Sequence, residues 1–115
     1  MEFHSIERAW RIDFILDLNA SDVVDEVAFI VLVSRKFDGE ISDISVLSED
    51  GEEERRALVR LQLKNHESWD GVRGHCSGHL DKAGLVNASY RGALERADPG
   101  FGATKTLLSQ LRAAK

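Results

Sequence analysis

The stretch Gly71-Val72-Arg73-Gly74-His75-Cys76-Ser77-Gly78-His79-Leu80-Asp81-Lys82-Ala83-Gly84-Leu85-Val86-Asn87-Ala88-Ser89-Tyr90-Arg91-Gly92-Ala93-Leu94 decides the fold. Read as a helix, its first half carries three interior glycines, each costing up to ~1 kcal/mol relative to alanine. Read as a hairpin turning at Asp81–Gly84, it gains a regular register. One face then pairs Leu80 with Val86, Gly78 with Ala88, Cys76 with Tyr90, Gly74 with Gly92 and Val72 with Leu94. The other face collects Arg73, His75, Ser77, His79, Asn87, Ser89 and Arg91. A slip of one residue destroys this partition, so turn and pattern support each other. The spacing therefore predicts two extended arms over 71–94, with space left above the sheet at Gly74, Gly78 and Gly92.

Downstream, Asp98-Pro99-Gly100 breaks the chain. Thr104 is then placed to cap a final helix over Gly102–Lys115, whose Leu107, Leu108, Leu111 and Ala114 form one apolar stripe. Laid across the glycines, this helix fills the space over the hairpin, because its stripe needs burial. The alternative is an open gap holding a small molecule, lined by Gly74, Cys76, Gly78, Ala88, Tyr90 and Gly92.

Upstream, the runs alternate with period two. Trp10, Ile12, Phe14, Leu16 and Leu18 share one face of a strand whose other face carries Arg11, Asp13 and Asp17. Val27 to Val33 is unbroken, apolar and rich in β-branched residues, which predicts a central strand covered on both faces. Ser21 is a cap for a brief helical turn before it. Asp38-Gly39 reads as a two-residue hairpin turn leading into a strand over Ile41–Leu47. Ser48-Glu49-Asp50-Gly51 reads as a type I turn with a glycine bulge. Ala57, Val59, Leu61 and Leu63 alternate with Leu58, Arg60, Gln62 and Lys64, and strand is preferred there over the helix that propensity also allows. Phe3, Ile6 and Trp10 have helical spacing in a segment too short to assign.

These readings combine into one α+β domain over residues 1–115. Its sheet is a largely antiparallel meander of about six strands, a half-barrel or open sheet, with a C-terminal helix on one face. With 115 residues the chain holds one domain of ordinary size and needs no disulfide or metal to fold. No apolar run approaches the ~20 residues of a membrane-spanning helix, and the start Met1-Glu2-Phe3-His4 lacks signal-peptide character. A single cysteine, Cys76, excludes an internal disulfide and fits a reducing cytoplasm. The net charge of -5 hides a split: residues 1–54 carry 15 acids against four bases, and residues 55–115 carry five acids against 11 bases. The simplest use of such a split is that the two halves face each other. Spread-out basic residues and a pI near 5.3 argue against nucleic acid as a partner.

Several residues invite chemistry. His66, His75, Cys76 and His79 are zinc-type donors, and on a helix His75 and His79 would share a face. On a strand those two lie ~13 Å apart at ~3.3 Å per residue, and Cys76 faces the opposite way, so the hairpin predicts no metal site and no Cys–His nucleophile. Asp50 with Glu52-Glu53-Glu54 reads as a solvated hairpin tip. Gly71, Gly74 and Gly78 are followed by no Lys-Ser/Thr and form no phosphate loop. No cofactor is called for.

Asp43-Ile44-Ser45-Val46-Leu47-Ser48, following the early Arg8-Ala9-Trp10-Arg11, resembles a PilZ domain. That family's barrel binds a cyclic dinucleotide through an Arg-x-x-x-Arg and an Asp/Asn-x-Ser-x-x-Gly element. The resemblance carries over Asp43, Ser45 and loosely Arg8 and Arg11. The arginines here are spaced one residue short, and Ser48 stands where the glycine belongs.

With no catalytic constellation, the expected function is a small non-enzymatic binding protein acting through a protein partner or a homodimer, the second copy covering the exposed face of the Val27–Val33 strand. The alternative is a small-molecule-binding or catalytic half-barrel with its pocket at Tyr90.

Overall fold

The computed structural model describes residues 1–48, 53–81, 84–85 and 90–114. The fold is α+β. Two strands that put every second residue into the core form its centre: β2 (Arg11–Asp17) and β4 (Arg56–Gln62). They pair antiparallel, Ile12 opposite Leu61, Phe14 opposite Val59 and Leu16 opposite Ala57, and all six side chains are fully buried. The edges are β1 (Glu2–Ile6) beside β2 and β3 (Glu40–Val46) beside β4, giving the order β1-β2-β4-β3. The sheet is open and has four strands rather than about six, and it does not close toward a barrel. The N-terminal segment with helical spacing is β1; a 3-10 turn at Glu7–Ala9 and a left-handed Trp10 (φ 48°) then reverse the chain into β2.

Val27–Val33 is not a strand. It is the middle of helix α1 (Val23–Lys36), in which Val23 and every residue from Glu26 to Val33 is buried. The helix packs against β2 on one side and against α3 (Arg91–Ala97) and α4 (Gly102–Ala113) on another. Covered all round, it shows no polar face, so its sequence carries no 3.6-residue signature. Its one polar member there, Glu26, meets the Met1 amino group at 2.9 Å. Ser21 caps nothing, and Asp22 at the N-cap position makes no side-chain bond. Asp38-Gly39 is a turn, with Asp38 at φ 52°, but it joins α1 to β3 rather than two strands.

The first arm of the expected 71–94 hairpin is also helical as far as His79, and so is the end of the second arm from Arg91. Helix α2 (His66–His79) is capped by Asn65, whose side chain accepts from the Ser68 amide at 2.9 Å, and it buries Trp69, Val72 and Cys76 as its core stripe. That stripe and the cap outweigh three glycines. Asp81 pairs with Gly84, but only within a ribbon of two-residue strands, β5 (Leu80–Asp81) and β6 (Gly84–Leu85), and the central residues of the expected turn, Lys82 and Ala83, lie outside the described residues. Leu80 pairs with Leu85 and not with Val86. Val72 and Leu94, Gly74 and Gly92, and Cys76 and Tyr90 therefore stand on separate helices or their ends instead of facing each other across a ladder. The partners Val86, Asn87, Ala88 and Ser89, and the expected 48–51 turn beyond Ser48, lie outside the described residues.

The C-terminal helix is present and buries Leu107, Leu108 and Leu111. It docks on α1 and β3, not on a glycine hairpin. Its cap is Asp98, whose carboxylate accepts from the Ala103 amide (3.1 Å) and the Thr104 amide (2.7 Å); Thr104, the expected cap, is buried inside the helix. No helix among the described residues is long and apolar enough to cross a membrane.

Candidate functional site

Because α2 is a helix, residues four apart share a face. His75 and His79 come together, ring centroids 5.6 Å apart. Tyr90, immediately before α3, completes the cluster: its hydroxyl lies 3.0 Å from His75 Nδ1, and its ring stacks on His79 at 4.2 Å. Phe37, at the end of α1, meets His75 edge-on at 5.3 Å, and Phe29 lies 5.8 Å from Tyr90. His79 Nδ1 is buried with no hydrogen-bond partner among the described residues, so that ring is held chiefly by stacking.

This cluster forms part of one wall of a groove of about 460 Å³ between α1 and α3, lined by Leu32, Arg35, Lys36, His75, Tyr90, Ala93, Arg96 and Ala97. Ala93 and Ala97 are one turn apart on α3, and their small side chains leave the groove open. Three cations border it, and no carboxylate lines it among the described residues. Arg35 is engaged elsewhere, its guanidinium 3.5 Å from Asp98. Lys36 and Arg96 are exposed and make no ion pair among the described residues; Lys36 lies 6.0 Å from the centroid of the Phe37 ring.

The protonation states follow from burial. Burial first, then Lys36 and His79, pushes His75 below the ordinary imidazole value, so the ring is neutral at pH 7. Burial, with a smaller effect from Cys76, raises the Tyr90 phenol, which is therefore protonated. The His75–Tyr90 hydrogen bond thus joins two neutral groups. Cys76 points into the core with no exposed surface, and burial pushes its thiol up to about 12. It is neither thiolate nor accessible, so it supplies no nucleophile.

The gap-lining residues expected from the hairpin separate accordingly. Tyr90 lines the groove. Cys76 is core. Gly74 and Gly78 lie on the exposed side of α2 with open space about them, and Gly92 is exposed on α3 beside its own Arg96. Ala88 lies outside the described residues. Lys36, Leu32, Ala93 and Arg96 gave no signal, since each needs α1 or α3 to be recognised as helix first. The four zinc-type donors do not assemble: His66 packs with Trp10 and Trp69 at the other end of α2, and Cys76 faces the core. Among the described residues no three His, Cys, Asp or Glu side chains gather to hold a metal.

Of the PilZ-like pattern, Arg11, Asp43 and Ser45 sit on an open sheet, not a barrel, and Arg8 lies in the 3-10 turn before β2. Arg11 is turned to Asp13 at 3.3 Å, and Asp43 is on edge strand β3, opposite Arg60. No protein-family model matches the chain, and no curated protein and no solved structure is significantly similar to it.

Proposed function

We propose that this chain is a non-enzymatic binding protein whose ligand occupies the groove beside Tyr90. One observation carries the reading: the groove gathers apolar surface, an aromatic wall and two cations that make no ion pair among the described residues, while the one thiol nearby is sealed in the core. Concave, mostly apolar sites with a few convergent polar groups are the usual form of small-molecule sites. Neutral His75 and protonated Tyr90 offer hydrogen bonds without a reactive nucleophile. NMR screening of a fragment library against the full chain tests this. Hits that converge on the amides of Leu32, Ala93 and Ala97 and on the His75 ring support it; shifts scattered over the surface overturn it.

A second reading, a protein partner or second copy on the outer face of the sheet, is favoured by a different observation. Ile15 stands opposite Leu58 at the centre of that face, both half-buried, while the helices pack on the face carrying Ile12, Phe14 and Leu61.

A further inference from the structure

We infer that the groove takes an organic anion with a flat apolar body, its charge held between Lys36 and Arg96 and its body laid against Leu32, Ala93 and the Tyr90–His75 pair. This rests on the groove being the binding site and adds the chemistry of the ligand. The sign of the charge follows from the lining. The chain as a whole carries -5, yet the described lining of this groove contains cations and no acid. Arg35 already has Asp98 and the Ala97 carbonyl as partners, which leaves Lys36 on α1 and Arg96 on α3 to meet a ligand from opposite walls. Neither is tied to a carboxylate among the described residues.

The same lining decides against a metal cation. His75 and His79 share a helix face as a metal-binding pair would, but Lys36 and His79 already lower the proton affinity of His75 beyond what burial does. A field that repels a proton from this nitrogen repels a divalent cation more strongly. An anion reverses the effect. His75 is faced by Lys36 from α1, by His79 from its own helix and by the neutral Tyr90 ahead of α3. A bound anion offsets Lys36 and raises the His75 pKa. By linkage, binding then tightens as pH falls from 7.5 toward the point where His75 protonates, which lies below its ordinary 6.5.

The apolar part of the ligand follows from the groove walls. The side chains of Leu32 and of the two alanines of α3 offer no hydrogen bond, and Tyr90, its ring stacked on His79, adds an aromatic edge with His75 against which an aromatic body packs. A bare inorganic anion uses the cations alone, and an uncharged aromatic uses the walls alone. The proposal requires both together.

NMR titration of the full chain with phenyl phosphate, inorganic phosphate and benzyl alcohol tests this. Phenyl phosphate is expected to shift the amides of Lys36, Ala93 and Arg96, to raise the His75 pKa, and to bind about tenfold more tightly than benzyl alcohol. Inorganic phosphate is expected to bind more weakly than phenyl phosphate. In the double variant Lys36→Gln/Arg96→Gln, phenyl phosphate should fall to the affinity of benzyl alcohol while the rest of the spectrum is unchanged. If benzyl alcohol and phenyl phosphate perturb the wild-type groove equally, the anion assignment is overturned and the groove remains a binding site. If neither perturbs it, both readings fall. If zinc chloride perturbs His75 and His79 while phenyl phosphate is silent, the sign of the ligand is wrong.

Discussion

Asp98 accepts hydrogen bonds from the Ala103 amide, the Thr104 amide and the Thr104 hydroxyl, the last at 2.6 Å. It thereby satisfies two of the free N–H groups at the start of α4 from outside the helix. Burial alone would raise its pKa, but these bonds and Arg35 outweigh burial and hold the carboxyl below its ordinary range. A depressed carboxylate contributes stability that is complete above the unfolded value of about 4 and is lost as pH falls through the folded value. Asp98→Ala should therefore cost about 1–2 kcal/mol at pH 7, read from urea unfolding, and the gap to wild type should close as pH falls below about 4. A gap that stays constant down to pH 2 would show that the carboxylate's charge is not what caps α4. Cys76 gives a second measurement at this scale. With its thiol raised to about 12 and no exposed surface, it should be inert to thiol reagents at pH 8 in the native protein and react once urea unfolds it. Native reaction at the denatured rate would place Cys76 at the surface.

The glycines of α2 were the main obstacle to reading this element from sequence, and they differ among themselves. A Cβ added at Gly71 would lie 2.8 Å from Phe37 Cδ1, so the bare backbone here lets α1's end approach α2. A Cβ at Gly74 meets nothing within 4 Å. Gly74→Ala should therefore stabilise the protein by about 0.5–1 kcal/mol through helix propensity. Gly71→Ala should destabilise it by about 1–2 kcal/mol, because the displaced Phe37 ring costs more than the propensity gained. Thermal unfolding of the two variants checks both signs, and a stabilising Gly71→Ala would mean that Phe37 gives way freely. This contrast also says what was legible. β2 and β4 are legible because every second residue of each is core, and β3 because the Asp38-Gly39 turn announces its start. The leucine stripe and the chain break at Pro99 likewise announce α4. Helix α1 is not legible, because burial on all sides erases its period and leaves β-branched residues that look like a strand. Helix α2 looks like a strand because alternation and turn chemistry at 71–94 match a hairpin, while the opposing signals, the Asn65 cap and the Trp69, Val72, Cys76 stripe, begin upstream of that stretch. The candidate site follows the same misfit: among the described residues of the expected lining Tyr90 alone reaches the groove, and the pairing of His75 with His79 needs the helix.

At the scale of the whole molecule, part of the charge split is met by contact between the halves. Asp13, Asp25 and Asp38 from the acidic half meet Arg60, Arg91 and Lys64 from the basic half, so three charges of each sign are paired across the fold. On the outer face of the sheet this leaves Asp13 between Arg11 and Arg60, and beside them the apolar Ile15–Leu58 pair. Both edges of the sheet carry charge, Glu2 on β1 and Glu40 and Asp43 on β3, which discourages growth by strand addition. Any second copy must therefore come face to face. Four strands at ~4.8 Å spacing and six residues at ~3.3 Å give roughly 400 Å² of projected face on each copy. A standard stable interface takes about 800 Å² per partner, so a dimer built on this face should be weak and concentration-dependent. Sedimentation equilibrium is the suitable measurement. The weight-average mass of the wild type should rise above 12.8 kDa as concentration increases, and Leu58→Glu should hold it at the monomer value with the circular dichroism spectrum unchanged. A wild-type mass that stays at the monomer value up to about 1 mM would remove the face-to-face dimer. It would leave the groove between α1 and α3, which needs no second chain, as the molecule's binding surface.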